Sequence, residues 1–341
     1  MIILESEQTL EELIRSLLAR WGISSNATLT LLSYSENATY LIQSADKKYV
    51  MRVHRVGYHT INGVRSELAW MQALRRDTQL ETPIAIAGLD GEFVQLVDVD
   101  THDEPRMVVL FEHIQGIQPE VEDLIDSFRQ LGSMTAKMHQ HAQHWTRPEY
   151  FERQHWDLKG AFGEHPNWGH WKLGFDPNVA GLEIVQRAAD QMTQRLTTYG
   201  LSNTRYGLIH SDFRLANLLV HEGETKILDF DDCGFGWYVY DLASSVSFLE
   251  NHENIQDIIT SWLQGYFSEA PLSDDDLQEI PTFMLFRRLI LMGWAGSHPT
   301  TALAESMRQE NYSQGTVEFA QKYLNQQVYD HSHFHQSLVG V

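Results

Sequence analysis

Four side chains in one stretch have the types and spacing for phosphoryl-group chemistry: His210, Asp212, Asn217 and Asp229. Asp212 stands five residues before Asn217, where a loop carboxylate can orient an acceptor hydroxyl and take up its proton. Arg214 follows two residues later and is placed to touch either that carboxylate or a γ-phosphate. Leu218 to Val220 and Thr225 to Leu228 are short apolar runs around His221-Glu222-Gly223-Glu224, the pattern of a β-hairpin. With the turn centred on Gly223, Asn217 and Asp229 stand opposite each other across the ladder, about 5 Å apart. Two hard oxygen donors at that separation can share one Mg²⁺, whose remaining positions go to water and nucleotide phosphates.

His210, Asp212 and Asn217 match the H-x-D-x4-N catalytic loop of protein kinases, and Asp229-Phe230 follows as their metal-binding Asp-Phe pair does. Around them stand Leu208-Ile209-His210-Ser211-Asp212, Ala216-Asn217-Leu218-Leu219, Asp229-Phe230-Asp231-Asp232 and Tyr240-Asp241-Leu242-Ala243. On these segments the chain resembles the aminoglycoside phosphotransferase-like family, which includes choline, homoserine and hydroxylysine kinases. The resemblance runs from the turn at Ser35 to about Tyr323. It implies a bilobal protein-kinase-like α+β fold, ATP and Mg²⁺ as cofactors, and a small-molecule hydroxyl as acceptor. It also implies bracing roles for His210 and for Asp241, which opens a helix over 241–249. Asp231 and Asp232 exceed the minimum metal set and take no assigned role.

The elements that must position this strip lie on both sides of it. Residues 5–21 have helical spacing with acids near the start. Three β runs follow, over 29–34, 38–43 and 49–54. The turn Ser35-Glu36-Asn37 joins the first two, at the place where kinases carry a glycine-rich loop. No such glycines are present, so a phosphate cradle falls to backbone N–H groups and the side chains of Ser35 and Asn37.

Arg52, in the third run, takes the place of the phosphate-pairing kinase lysine, and a guanidinium fork suits phosphate oxygens. A helix over about 60–75, with Ile61, Val64, Leu68, Met71 and Leu74 inward, carries Glu67 to hold Arg52. Strand patterns continue at 84–86, 93–97 and 107–111. The last leads into a hinge at 111–116, where the resemblance assigns adenine contacts to the backbone of Glu112 and Ile114.

Beyond the hinge the pattern is helical, over about 123–145, 180–199, 255–267 and 274–292. The segment 146–178, rich in Trp and His, reads as a packed insertion or as an aromatic lid that holds ammonium groups. Packing is the better reading, because tryptophan serves packing more often than chemistry. Gly234 to Tyr238 reads as a tight loop. The resemblance makes Arg287, Arg288, Trp294 and His298 candidates for the acceptor-pocket wall, and His331, His333 and His335, alternating on one face of an extended segment, read as a polar tail rather than a metal site.

The chain as a whole narrows the possibilities. At 341 residues it is long enough for two lobes, read as 1–115 for the nucleotide and 116–341 for catalysis and acceptor. The formal charge of −21 argues against nucleic acid or anionic membrane as main partner. Residues 116–341 hold 15 basic against 30 acidic side chains. That excess reads equally as solubility or as attraction of an amine-bearing acceptor. Cys233 is the only cysteine, which suits a reducing cytoplasm, and neither a signal peptide nor a membrane span is evident.

The expectation is therefore transfer of the ATP γ-phosphoryl group to a hydroxyl of an amino alcohol, amino sugar or hydroxy amino acid. A protein Ser/Thr kinase is the rival, disfavoured because no Ala-Pro-Glu segment closes an activation loop. A pseudokinase is disfavoured by the intact Asp212, Asn217 and Asp229.

Overall fold

The computed structural model describes residues 6–34, 37–98, 104–119 and 124–329. Ser35 and the histidines at 331, 333 and 335 lie outside them. The chain divides into two compact units. The first comprises residues 1–117, 147–153 and 219–231, and the second 118–146, 154–218 and 232–341. The hairpin segment 219–231 is thus grouped with the N-terminal sheet.

The first unit opens with α1 (Glu7–Leu17), capped by the Ser6 side chain, which accepts from Thr9 N–H. Leu10, Ile14 and Leu17 recur at helical spacing and are buried. A short 3-10 turn (Leu18–Trp21) continues the helix. Next come β1 (Thr28–Tyr34), β2 (Ala38–Ser44) and β3 (Lys47–Val53). α2 (Ile61–Asp77) follows, capped by Thr60, then β4 (Ala85–Ile86), β5 (Val94–Val97) and β6 (Arg106–Glu112).

The sheet is antiparallel in the order β1-β2-β3-β6-β4, with β5 also on β6. Alternation along the strands decides its two faces. Ala38, Tyr40 and Ile42, Met51 and Val53, and Val108 and Leu110 form one core with the apolar stripe of α1. Arg52, between Met51 and Val53, is thereby turned to the opposite face.

In the second unit α3 (Leu124–His144) precedes β7 (His155–Trp156), α4 (Leu158–Phe162), α5 (Leu182–Tyr199) and β8 (Tyr206–Ile209). The hairpin strands that follow, grouped with the first unit from residue 219, are β9 (Leu218–His221) and β10 (Glu224–Ile227). The chain then forms β11 (Gly234–Trp237), α6 (Tyr238–Ser245), α7 (Ile255–Phe267), α8 (Asp274–Gln278), α9 (Ile280–Ser297), α10 (Ala302–Gln309) and α11 (Tyr312–Leu324). Helices α3 and α7 approach so closely that a Cβ at Gly132 would lie 1.9 Å from the Trp262 carbonyl oxygen, and one at Gly265 would lie 1.8 Å from that of Arg129. Only hydrogen fits at either position, and the contact sets α3 in place.

Three local expectations change. Gly234 to Trp237 is a strand, antiparallel to β8 and parallel to β7, because Gly234 and Gly236 admit neighbours that a side chain would exclude. The helix expected to open at Asp241 begins three residues earlier and ends at Ser245, placing Asp241 inside its first turns. The helix expected over 274–292 is two. A capping box of Ser273 and Asp276 starts α8, and Pro281 restarts the chain in the first turn of α9. No helix among the described residues is long and apolar enough to cross a membrane.

Candidate active site

In the first unit the site is built on β3 and α2. Arg52 pairs in register with Thr39 and Val109, and its Nη2 donates to both Glu67 carboxylate oxygens, at 2.6 and 2.8 Å. Glu67 is wholly buried. Burial opposes the Arg52 charge, but Glu67 and Asp231 outweigh it and raise its pKa above the usual arginine range. Replacing Arg52 by Met leaves Glu67 buried without its cation, so unfolding in urea is expected to cost about 3–5 kcal/mol less than for the parent chain.

Asp231 is a second centre that the sequence reading left unassigned. Its Oδ2 accepts from Asn37 Nδ2 at 2.9 Å. Its Oδ1 faces His59 Nε2 at 3.4 Å, His54 Nδ1 at 3.5 Å and Arg52 Nη1 at 3.9 Å. Burial alone would raise the Asp231 pKa, but His59, His54 and Arg52 hold it well below the usual carboxylate range. Burial and the Arg52 charge push His54 down. Arg52 Nε donates to His54 Nε2 at 3.3 Å, so in neutral His54 the ring proton sits on Nδ1, facing Asp231.

Asn37 also accepts from the Arg55 N–H at 3.1 Å, which ties the turn after β1 to Asp231. Asp229 adopts left-handed backbone, φ 57, and the buried Phe230 ring meets Trp70 edge-on at 5.5 Å. Arg153 donates to the carbonyls of Gly63 and Asp231. Glu112 closes β6 with its N–H on the Ile84 carbonyl at 2.9 Å. Its carbonyl and the backbone of half-buried Ile114 are the groups that the hinge reading requires.

In the second unit the candidate catalytic loop, residues 210–217, hangs on Asp241, which is fully buried. Its Oδ1 accepts from Ser211 N–H at 2.7 Å, and its Oδ2 from His210 N–H at 3.0 Å. His139, brought by α3, lies 3.0 Å from the same Oδ2 through Nε2 and 3.0 Å from Tyr266 OH through Nδ1. Ser211 is left-handed at φ 69, an unusual state for a residue other than glycine. Three bonds fix it there: its N–H to Asp241, its Oγ to the Asp232 carbonyl at 2.6 Å, and its carbonyl to Arg287 Nη1 at 3.2 Å. His210 is buried and stacks on Phe213 at 4.8 Å.

The turn at Ser211 presents Asp212. Oδ1 accepts from Arg287 Nη2 and from Arg214 Nε, the latter at 3.1 Å; Oδ2 accepts from Arg214 Nη2 at 3.2 Å and Asn217 Nδ2 at 3.0 Å. Burial pushes the Asp212 pKa up, but Arg214 and Arg287 prevail and hold it at about 2. The carboxylate is therefore ionised throughout the physiological range. Asn217 Nδ2 also donates to the Asp212 carbonyl at 2.8 Å, so Oδ1 is the Asn217 atom suited to a cation.

Asn217 and Asp229 are not partners on the hairpin ladder, contrary to the sequence expectation. The hairpin loop is the two residues Glu222 and Gly223, both left-handed at φ 51 and 83, the signature of a type I′ turn. The turn is centred between them, one residue out of the expected register. Asn217 instead ends a 3-10 turn (Leu215–Asn217) with its N–H on the Arg214 carbonyl, and the left-handed Asp229 lies past the end of β10. Neither side chain belongs to a strand.

Of the four wall candidates, Arg287 is the partner of Asp212. Arg288 pairs with buried Glu250 at 3.2 Å, and His298 stacks on Trp294 at 5.0 Å. The Trp-rich segment packs: Trp156, Trp168 and Trp171 are buried, and Trp156 Nε1 donates to the Asp232 carbonyl at 2.8 Å. His54 and His59 have no sequence assignment, and Arg287, expected at the acceptor-pocket wall, is found on Asp212 instead. For His54 a signal existed, since it stands two residues after Arg52 and so on the same face of an extended chain.

Comparisons with known proteins agree with this picture. The profile of the phosphotransferase enzyme family matches residues 28–273. An uncharacterised protein of Deinococcus radiodurans is 31% identical over 281 residues, covering 80% of this chain and 78% of its own. The amicoumacin kinase of Bacillus subtilis is 23% identical over 295 residues, covering 83% and 84%. Among solved structures, a microcompartment-associated aminopropanol kinase superposes with a TM-score of 0.85 at 38% identity, over 94% of this chain and 99% of the other. An amicoumacin kinase in complex with AMP-PNP, Ca²⁺ and Ami superposes with a TM-score of 0.74 at 22% identity, over 92% and 94%, and shares the fold. The chain belongs to the phosphotransferase enzyme family, as an ATP-dependent kinase that phosphorylates a hydroxyl of a small molecule.

Proposed function

We propose that the acceptor is a small amino alcohol, phosphorylated on its hydroxyl, with Asp212 orienting that hydroxyl. The 38% identity to an aminopropanol kinase over 94% of this chain carries the reading. The acidic excess of residues 116–341 supports it, since a cationic acceptor is drawn to such a region.

The donor chemistry fits Mg²⁺. Asn217 and Asp229 offer hard oxygens, and Mg²⁺ is usually held by one or two such ligands plus water and phosphate oxygens. When bound, the ion neutralises charge on the nucleotide phosphates. Arg52, fixed by Glu67, is assigned to the phosphates as well, together with Ser35 and Asn37; the backbone at Glu112 and Ile114 is assigned to the adenine edge.

With its pKa held at about 2, Asp212 is a weak base toward a free alcohol. It aligns the hydroxyl and receives the proton only as the oxygen bonds to phosphorus and becomes acidic. His210 and Asp241 hold the loop.

The test is ADP release with Mg²⁺ and a panel of aminopropanol, ethanolamine, choline, homoserine, an aminoglycoside and an uncharged diol. The expected result is a kcat/KM for a small amino alcohol at least tenfold above that for the others. Turnover confined to the aminoglycoside, or equal for an uncharged diol, would overturn the assignment.

A further inference from the structure

An ionised carboxylate offers about four acceptor sites, and Asp212 already receives four donors, from Arg287, Arg214 twice and Asn217. An acceptor hydroxyl can reach it only if a donor leaves. The two arginines differ in the cost of leaving. The Arg287 side chain is 1% exposed, that of Arg214 23%. Arg287 also donates to Ser247 Oγ at 2.9 Å, Tyr240 OH at 3.0 Å and the Ser211 carbonyl at 3.2 Å. Its guanidinium lies 5.4 Å from the Trp168 ring centre. Removing it from Asp212 strands a buried cation, whereas Arg214 makes the two longest bonds and can return to solvent.

We propose that Arg287 is the permanent positioning residue of Asp212, and that Arg214 is a cap that the acceptor hydroxyl displaces. Arg287 ties the carboxylate and the Ser211 carbonyl to one rigid group on α9, so the left-handed turn and the carboxylate move together. Arg214 occupies the site of the acceptor in the resting enzyme and excludes water from it. The proposal rests on Asp212 being the acceptor-orienting carboxylate.

The experiment uses the full chain with ATP, Mg²⁺ and the best acceptor of the panel, and reads kcat, both KM values and ADP release without acceptor. Arg287→Lys, which keeps the charge and loses the fork, is expected to lower kcat by about tenfold or more with both KM values within threefold. Tyr240→Phe and Ser247→Ala, which leave Arg287 in place with fewer holds, are expected to lower kcat by about threefold each, and they carry the test if the lysine variant does not fold. Arg214→Gln is expected to lower the acceptor KM severalfold and to raise acceptor-free hydrolysis severalfold.

A kcat within twofold of the parent for a folded Arg287→Lys, or for both Tyr240→Phe and Ser247→Ala, overturns the positioning role. A raised acceptor KM with unchanged hydrolysis in Arg214→Gln overturns the cap. Asp212→Asn, run in parallel, separates the levels. If it retains full transfer, the role of Asp212 itself is wrong; if it is inactive while the arginine variants match the parent, only the present inference fails.

Discussion

Asp212→Asn is expected to lower kcat by roughly 10³-fold, within the range for loss of a positioned acid–base group, while nucleotide binding stays within a few-fold. The amide is the right shape and keeps an oxygen for Arg287, but it cannot take a proton. Asp212→Ala would be a poorer test. It leaves the Arg287 guanidinium buried beside a void, at a stability cost of about 3–5 kcal/mol, and so confuses chemistry with folding. Thermal melts with and without the ATP analogue separate the two. A normal melting temperature, a normal nucleotide-induced shift and lost transfer together constitute the expected result, and transfer at the parent rate would remove Asp212 from the chemistry.

Asp229→Asn should fail differently. Asp229 is assigned to Mg²⁺, so its loss should weaken metal-dependent nucleotide binding by at least the about 100-fold that removal of a supporting partner costs a metal site. The left-handed backbone at 229 tolerates asparagine better than most residues, so the fold should survive. Titration calorimetry with AMP-PNP at fixed Mg²⁺, repeated without the metal, makes the distinction. The variant should resemble the parent without metal and differ from it with metal. An unchanged Mg²⁺-dependent affinity would move the metal role elsewhere.

Much of this was readable in the chain, for physical reasons. Arg52 and Glu67 could be paired in advance because a strand residue and a helix residue on apolar scaffolds have few ways to face each other, and the ion pair is there at 2.6 Å. The helical stripe of α2 was legible for the same reason, apart from Ile61, which is only half-buried at the helix end. The spacing of the loop over 210–217 is local, so its geometry around Asp212 and Asn217 could be expected from sequence.

Two kinds of feature escaped. The register of the hairpin depends on whether the turn uses two residues or three, and Glu222, in left-handed backbone, gives no compositional warning as glycine does. Long-range contacts escaped as well. Nothing near Arg287 announces that it meets a carboxylate 75 residues earlier; on the largely apolar α9 it stands beside Arg288, and sequence alone does not tell which of the two faces Asp212. His59 and Asp231 meet in the same unannounced way, through the folding of the hairpin segment onto the sheet unit.

The place of Arg287 in the chain matters for how relatives are compared. The family match ends at residue 273, so the segment bearing every recognisable motif stops short of the group that holds its carboxylate. Two paralogues can therefore be identical from the His210 loop to Asp241 and still differ in competence, if one has exchanged the arginine of α9. On the positioning role proposed for Arg287, pairing position 212 with position 287 when relatives are compared would separate fast kinases from slowed ones that motif inspection counts as alike.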